Sequence, residues 1–263
     1  MPGGPNRCVE AASAWCRTGI RARLRVSIGG LLAAAVGISL LAGCGGGSAQ
    51  RSTSPTPSSA ASKATPAAIV QFVGASVTHG LYSSGFAHAY PSDVVAALRQ
   101  RGENVQRRVL AIPGATVGQA LTWKIHRPAN IVVVHMGSNN FVHNTPLSAF
   151  APLYGSLVDA LRKESPKADL VCLGEWHRPF IHNQLGNTPE DFDTIIAADC
   201  KENGGTFEPL EQIYAVESYH GPLGRRTPFG RADLHHPNDA GDAAIAQMVL
   251  QGLQQQPPLK ATF

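Results

Sequence analysis

From Ala68 onward, short apolar runs, several of them β-branched and most closed by glycine, alternate with stretches of helical period. The strand-like runs are Ala68–Gly74 ("AIVQFVG"), Arg107–Gly114 ("RRVLAIPG"), Asn130–Gly137 ("NIVVVHMG") and Ala168–Glu175 ("ADLVCLGE"), with a weaker fifth, "GTFEPL", around Phe207. The helical stretches are Pro91–Arg101, Val117–Lys124, Pro146–Lys163, Pro189–Asn203 and Asp239–Gln255. This alternation predicts an α/β fold: a doubly wound three-layer sandwich around a mostly parallel sheet of about five strands. Helix ends carry their own signals. Thr145 before Pro146 and Thr188 before Pro189 are expected N-caps, Gly204 an expected C-terminal stop, and Asn238 and Asp239 caps of the final helix.

The first quarter of the chain is different. Arg7, Arg17, Arg21, Arg23 and Arg25 precede an uncharged apolar run, "VSIGGLLAAAVGISLLAGC". That pattern reads as a secretory signal over residues 1–43, and the run is too short and glycine-rich for a comfortable membrane span. Its end, "LLAGC", resembles the bacterial lipobox, which implies lipidation of Cys44; a plain cleaved signal or an uncleaved anchor is the alternative reading. Residues 44–67, rich in Gly, Ser, Thr and Pro, are expected to form a flexible tether, leaving a domain over 68–255 and a tail over 256–263.

Charge follows the same division. The whole chain has 22 basic and 18 acidic residues; losing five arginines and one glutamate with the signal leaves 17 of each. The basic excess therefore belongs to the targeting segment and gives no support for a nucleic-acid partner. Of five cysteines, Cys8 and Cys16 fall in the signal and Cys44 at the lipobox. Cys172 and Cys200 remain, an even pair suggesting a disulfide in an exported domain, with two buried thiols as the alternative.

In doubly wound sheets ligands bind beyond the carboxyl ends of the strands, so the residues just after each strand matter most. Here they are "GASVTHG", "IPGATVG", "GSNN" and, last, "DLHHP". These four blocks, in this order, resemble those of the SGNH (GDSL) hydrolases. The resemblance runs from about Ile69 to Val249 and implies an acyl ester hydrolase of α/β fold. By it, Ser76 is the nucleophile, His236 its base and Asp233 the base's partner; Ser76, Gly114 and Asn139 supply the oxyanion hole. The family's usual Gly-Asp-Ser reads Gly-Ala-Ser here, with Ala75, and its Gly-x-Asn-Asp ends in Asn140.

Elementary chemistry runs the same way. A serine hydroxyl needs a base within hydrogen-bond reach, and imidazole titrates near neutrality. Counting from Asp233, His236 at i+3 can be returned to the carboxylate by one tight turn, whereas His235 at i+2 projects elsewhere. No cofactor is called for, and no metal-ligand spacing appears despite ten histidines. The loop "GEWHRPF" places Trp176, His177 and Arg178 on the active edge, as an acyl or sugar subsite or as a packed loop.

The resulting expectation is an exported esterase or deacylase, lipid-anchored to the cell envelope or secreted, acting on a small-molecule or polysaccharide acyl ester. Two other readings stay open: acyl transfer to a carbohydrate hydroxyl, and a catalytically silent carbohydrate-binding or scaffold lipoprotein.

Overall fold

The computed structural model describes residues 66–124 and 127–256. The expected signal segment, Cys44, the tether up to residue 65 and the tail beyond residue 256 lie outside them. Five parallel strands, β1 (Ala68–Gly74), β2 (Val105–Ala111), β3 (Ile131–His135), β4 (Asp169–Leu173) and β5 (Thr206–Glu208), pair in the order β2-β1-β3-β4-β5. The chain starts near one edge, crosses back at β1 and winds outward, which opens the switch between β1 and β3. A two-residue pair, β6 (Arg226–Thr227) and β7 (Gly230–Arg231), forms a separate antiparallel ribbon.

Two-residue alternation along β1, β3 and β4 feeds two cores. Val132 and Val134 of β3 join Leu170 and Cys172 of β4 beneath α5 (Leu147–Glu164) and α6 (Pro189–Glu202), where Phe150, Leu157, Phe192 and Ile196 are fully buried. Ile131 and Val133 face the other way, with Phe72, Val171 and Leu173, against Tyr90, Val94 and Leu98 of α2 (Tyr90–Gln100) and Ile245 and Val249 of α8 (Asp239–Gln254). Strands buried on both faces explain why their sequences read as near-continuous apolar runs. Among the described residues the remaining α-helices are single turns, α1 (Ser76–His79), α3 (Val117–Ala120), α4 (Ser138–Val142) and α7 (Glu211–Tyr214), with 3-10 turns at Phe86–His88 and Glu217–Tyr219.

Cys172 and Cys200 form a disulfide, with Cα atoms 6.1 Å apart and a sequence separation of 28, joining β4 to the last turns of α6. A closed loop of that size contributes about 3–4 kcal/mol in the chain-entropy account. Thr188 caps α6, its hydroxyl accepting from the Asp191 N–H while the Asp191 carboxylate returns to the Thr188 N–H. Gly204 follows α6 at φ +67°, and Asn238 caps α8 by accepting from Ala240 and Gly241.

The expectation for Thr145 is corrected. Pro146 is the N-cap of α5 and no side chain caps it, because the Thr145 hydroxyl is turned to the Asn140 amide, 3.3 Å away. The helix expected over Val117–Lys124 stops at Ala120, where the chain turns to bring Leu121 and Trp123 against the core.

Asp242, on α8, is fully buried and ties that helix to the loop after α1. It accepts from the Ser83 hydroxyl at 2.6 Å and the Tyr90 N–H at 3.0 Å. Burial drives its carboxyl up, hydrogen bonds from Ser83 and Tyr90 oppose this, and Asp93 and Asp239 add to it; the pKa reaches about 8. The folded protein thus holds a proton that the unfolded chain releases above about pH 4, so stability falls as pH rises toward 8. Asp242→Asn keeps an oxygen to accept from the Tyr90 N–H and reverses the Ser83 contact, its amide donating to the hydroxyl, without the charge. Its melting temperature should exceed the parent's by an amount that grows from pH 4 to pH 8, reaching at least about 4 °C. A pH-independent difference in thermal unfolding would show that this carboxyl does not carry the proton.

Candidate active site

The turn after β1 needs Gly74. A Cβ there would lie 1.8 Å from the Thr78 hydroxyl and 3.0 Å from the His135 carbonyl. The chain can therefore bend at once, Ala75 preceding the single turn α1, and Ser76 opens that turn at the sheet's carboxyl edge. Ser76 Oγ lies 2.9 Å from His236 Nε2, and His236 Nδ1 lies 2.8 Å from Asp233 Oδ2.

Asp233 is fixed by its own loop. Its Oδ1 accepts from the backbone N–H groups of His235 (2.9 Å) and His236 (2.7 Å), leaving Oδ2 for the imidazole. Burial pulls its carboxyl upward, but the His236 backbone and ring hydrogen bonds, the His236 charge and the His235 N–H outweigh that, and its pKa falls below the ordinary value. The carboxylate is then an acceptor only, so Nδ1 carries the ring proton and Nε2 accepts from the serine hydroxyl. Tyr82 packs edge-on to His236, ring centres 5.1 Å apart, from the loop that Asp242 and Asp239 clamp to α8.

Asn139 stands in α4, just after β3. Its Nδ2 donates one hydrogen to the Ala115 carbonyl at 2.9 Å, and its side chain lines the cavity beside Ser76. Gly114 is exposed, adopts φ +81° and has no atom within 4 Å of a would-be Cβ. Its glycine is therefore required by backbone conformation. Asn140 is buried and braces the two loops: its Oδ1 accepts from the Val117 N–H at 2.9 Å, and its Nδ2 reaches the Thr145 hydroxyl.

Gly137 has φ +142°, and a Cβ there would fall 2.0 Å from Glu175 Oε1. Glu175 is buried, and burial first, then Asp193, push its pKa well up against a hydrogen bond from the Ser138 side chain. Asp193, accepting from the Glu175 N–H at 2.7 Å, is itself raised by burial to about 7.

The cavity beside Ser76 has a volume of about 160 Å³; its wall includes His135, Asn139, Val142, Trp176, His177, His235 and His236. Trp176 is fully buried and its indole N–H donates to the His235 carbonyl at 2.8 Å. Arg178 is exposed and is not part of this wall. His235 and His236 diverge as the spacing implied. The His235 ring turns toward Tyr214, its Nδ1 3.2 Å from the phenol oxygen, and stacks at 4.8 Å from His177. His220 holds the same loop through the His235 carbonyl (3.0 Å) and the Tyr214 carbonyl (2.7 Å). Tyr214, His220 and His135 had no sequence signal as site residues, since each acts through contacts between elements remote in the chain. Among the described residues no group of three or more His, Cys, Asp or Glu is placed to hold a metal ion.

The sequence pattern of the GDSL-like Lipase/Acylhydrolase family matches residues 72–244. No match was found among curated protein sequences. Solved structures share the fold at low identity. TesA is 17% identical, with TM-score 0.55, covering 71% of this chain and 98% of its own. A family 3 carbohydrate esterase of Clostridium thermocellum is 15% identical, with TM-score 0.55, covering 72% and 96%. The salicylyl-acyltransferase SsfX3 of a tetracycline biosynthetic pathway is 14% identical, with TM-score 0.55, covering 75% and 57%. With the matched region spanning both Ser76 and His236, the chain belongs to the GDSL-like lipase/acylhydrolase family, the SGNH hydrolases.

Proposed function

We propose that this domain is a serine esterase that forms an acyl-enzyme at Ser76. The observation that carries the reading is the continuous hydrogen-bonded line from Ser76 through His236 to Asp233, at 2.9 and 2.8 Å. Ser76 Oγ attacks the acyl carbon as its proton passes to His236 Nε2, and Asp233 stabilises the imidazolium. The oxyanion forms toward the remaining N–H of Asn139 and the backbone N–H groups of Ser76 and Gly114. Collapse breaks the bond to the alkoxy oxygen, which takes the proton from Nε2 and leaves as the alcohol. Water then repeats the cycle and frees the acid.

The substrate class is an acyl ester. A carbohydrate esterase among the structural neighbours supports a sugar ester, and the acyltransferase neighbour makes a sugar hydroxyl the competing acceptor. Export supports the same substrates: the arginine-rich start, the apolar run and "LLAGC" support a chain anchored through lipid on Cys44 at the cell envelope. The Cys172–Cys200 disulfide suits an oxidising compartment.

A fluorophosphonate probe should label the folded protein at Ser76, and absence of labelling on folded wild type would remove the reading. On p-nitrophenyl acetate, His236→Ala should lower kcat by at least about 10³, against about tenfold for His235→Ala. Equal losses would return the role of base to a shared pair. Adding a sugar acceptor and following acetylated sugar separates transfer from hydrolysis.

Gly137→Ala tests the oxyanion side. Its new methyl would meet Glu175 and displace the turn that carries Asn139, so kcat should fall by about 10²–10³ with KM little changed. A kcat near wild type would show that Asn139 does not depend on this turn.

A further inference from the structure

Asn139 gives one amide hydrogen to the Ala115 carbonyl, so the direction of its other hydrogen depends on where the turn after β3 sits. Asn140 ties that turn to α3 through the Val117 N–H. A second tie, to which the Ser76 chemistry assigns no part, runs to the loop after β4, the strand paired with β3.

Three consecutive residues of that loop meet Ser138, which stands between Gly137 and Asn139. Ser138 Oγ accepts from the Trp176 N–H at 3.4 Å, its hydroxyl bonds to the Glu175 carboxyl, and its backbone bonds to the His177 ring. Glu175 also stands against Gly137 itself. A Cβ at Gly137 would fall 2.0 Å from Glu175 Oε1 and 3.2 Å from its Cδ. The carboxyl thus occupies the place of a side chain on Gly137, and the turn rests on it. Glu175 is held in its own place from α6, where Asp193 Oδ1 accepts its N–H at 2.7 Å. Asp193 lies so close that a Cβ on Gly174 would meet its Oδ2 at 2.7 Å.

A carboxyl is a costly group at this position. Glu175 is 3% exposed, Asp193 bears on it, and Glu190 and Glu211 bear on Asp193, so the charges around the pair are acidic. An apolar side chain would fill the same space with less desolvation. Burial first and Asp193 second push the Glu175 pKa well up, which favours the neutral acid. In that form it still accepts from Ser138, and it puts no negative charge beneath the place where the oxyanion forms. A group so unfavourable for stability, lodged under the turn that carries an oxyanion donor, points to a part in that donor's alignment.

We propose that Glu175 is a positioning residue for the oxyanion hole: its carboxyl, seated on Gly137 and bonded to Ser138, sets where the Asn139 amide points. This rests on the Ser76 esterase reading and adds the residue that aligns its donor. A displacement of about 1 Å at a catalytic group can cost about 10²-fold in rate, so the effect falls on kcat.

The test is p-nitrophenyl acetate turnover by the full chain in two backgrounds, wild type and Asn139→Ala. In wild type, Glu175→Met, which keeps the length and removes both oxygens, should lower kcat at least about tenfold with KM within about twofold. Glu175→Gln keeps a neutral acceptor and should hold kcat within about threefold of wild type. In the Asn139→Ala background, Glu175→Met should lower kcat by less than about threefold more, since the donor it aligns is already gone. Equal losses in both backgrounds mark general support of the fold and would overturn the proposal, as would an unchanged kcat for Glu175→Met or no recovery by Glu175→Gln. Should Glu175→Met fail to fold, Ser138→Ala takes its place, with kcat at least about fivefold lower in wild type and under about twofold lower in Asn139→Ala. Equal losses there are again fatal. Fluorophosphonate labelling keeps the two failures apart: folded wild type left unlabelled at Ser76 sinks the esterase reading, whereas labelled wild type with equal losses sinks only this one.

Discussion

The Asp233 carboxylate sets the geometry of everything at the sheet's carboxyl edge. One oxygen is held by two backbone N–H groups from its own turn, and this fixes where the other oxygen points. The imidazole that meets it must come from i+3, so the choice between two adjacent histidines is made by backbone geometry within four residues. His235 is then free for another use. Its carbonyl receives Trp176 and His220, which anchor the loop to elements before and after β5. The base is thus held from both sides of its chain, by a carboxylate through its ring and by an indole through its neighbour's backbone.

The second constraint is the tightness of the turns leaving β1 and β3. Gly74 and Gly137 stand where a Cβ would strike Thr78 or Glu175, and both permit the chain to turn at once into α1 and α4. Ser76 and Asn139 therefore begin on parallel neighbouring strands and emerge on the same edge. Asn140 then locks the turn after β3 to the one after β2 through the Val117 N–H, at the position where the family pattern has aspartate. An amide serves here because one atom must accept and the other donate, to Val117 and to Thr145. That contact also explains why Thr145 is absent from the cap of α5.

The layers and the parallel sheet were legible because strands buried on both faces leave continuous apolar runs, and helices of more than ten residues leave a clear period; the strand order was not, since pairing joins segments remote in the chain. The blocks after β1 and β3 put Ser76 and Asn139 at strand ends, where local turns determine how such residues emerge; Asp233 and His236, expected after a strand, lie instead between the β6–β7 ribbon and α8, about 25 residues beyond β5. The rest depends on distance along the chain. Strand ends shifted by two or three residues around Arg107 and Gly114, because pairing with β1 sets where β2 stops. Trp176 read equally as a subsite or a packed residue; the structure buries it completely against Tyr214 and His220, some 40 residues on. His135 was hidden inside the strand pattern of β3, where an imidazole at the last position has no local signature.

Several buried polar groups gather around the same edge. Asp242 and Asp239 hold the Tyr82 loop to α8, Glu175 lies under Gly137, and His135 and His177 face the cavity. Each is a group that an apolar residue would replace with less desolvation cost, yet each supports or faces a residue of the Ser76 line. Away from this edge the two cores are built almost wholly from aliphatic and aromatic side chains, closed on one side by the Cys172–Cys200 bond. The scaffold therefore absorbs the instability of its polar edge. A site of buried imidazoles and a raised buried carboxyl persists because the sheet beneath it is apolar and continuous.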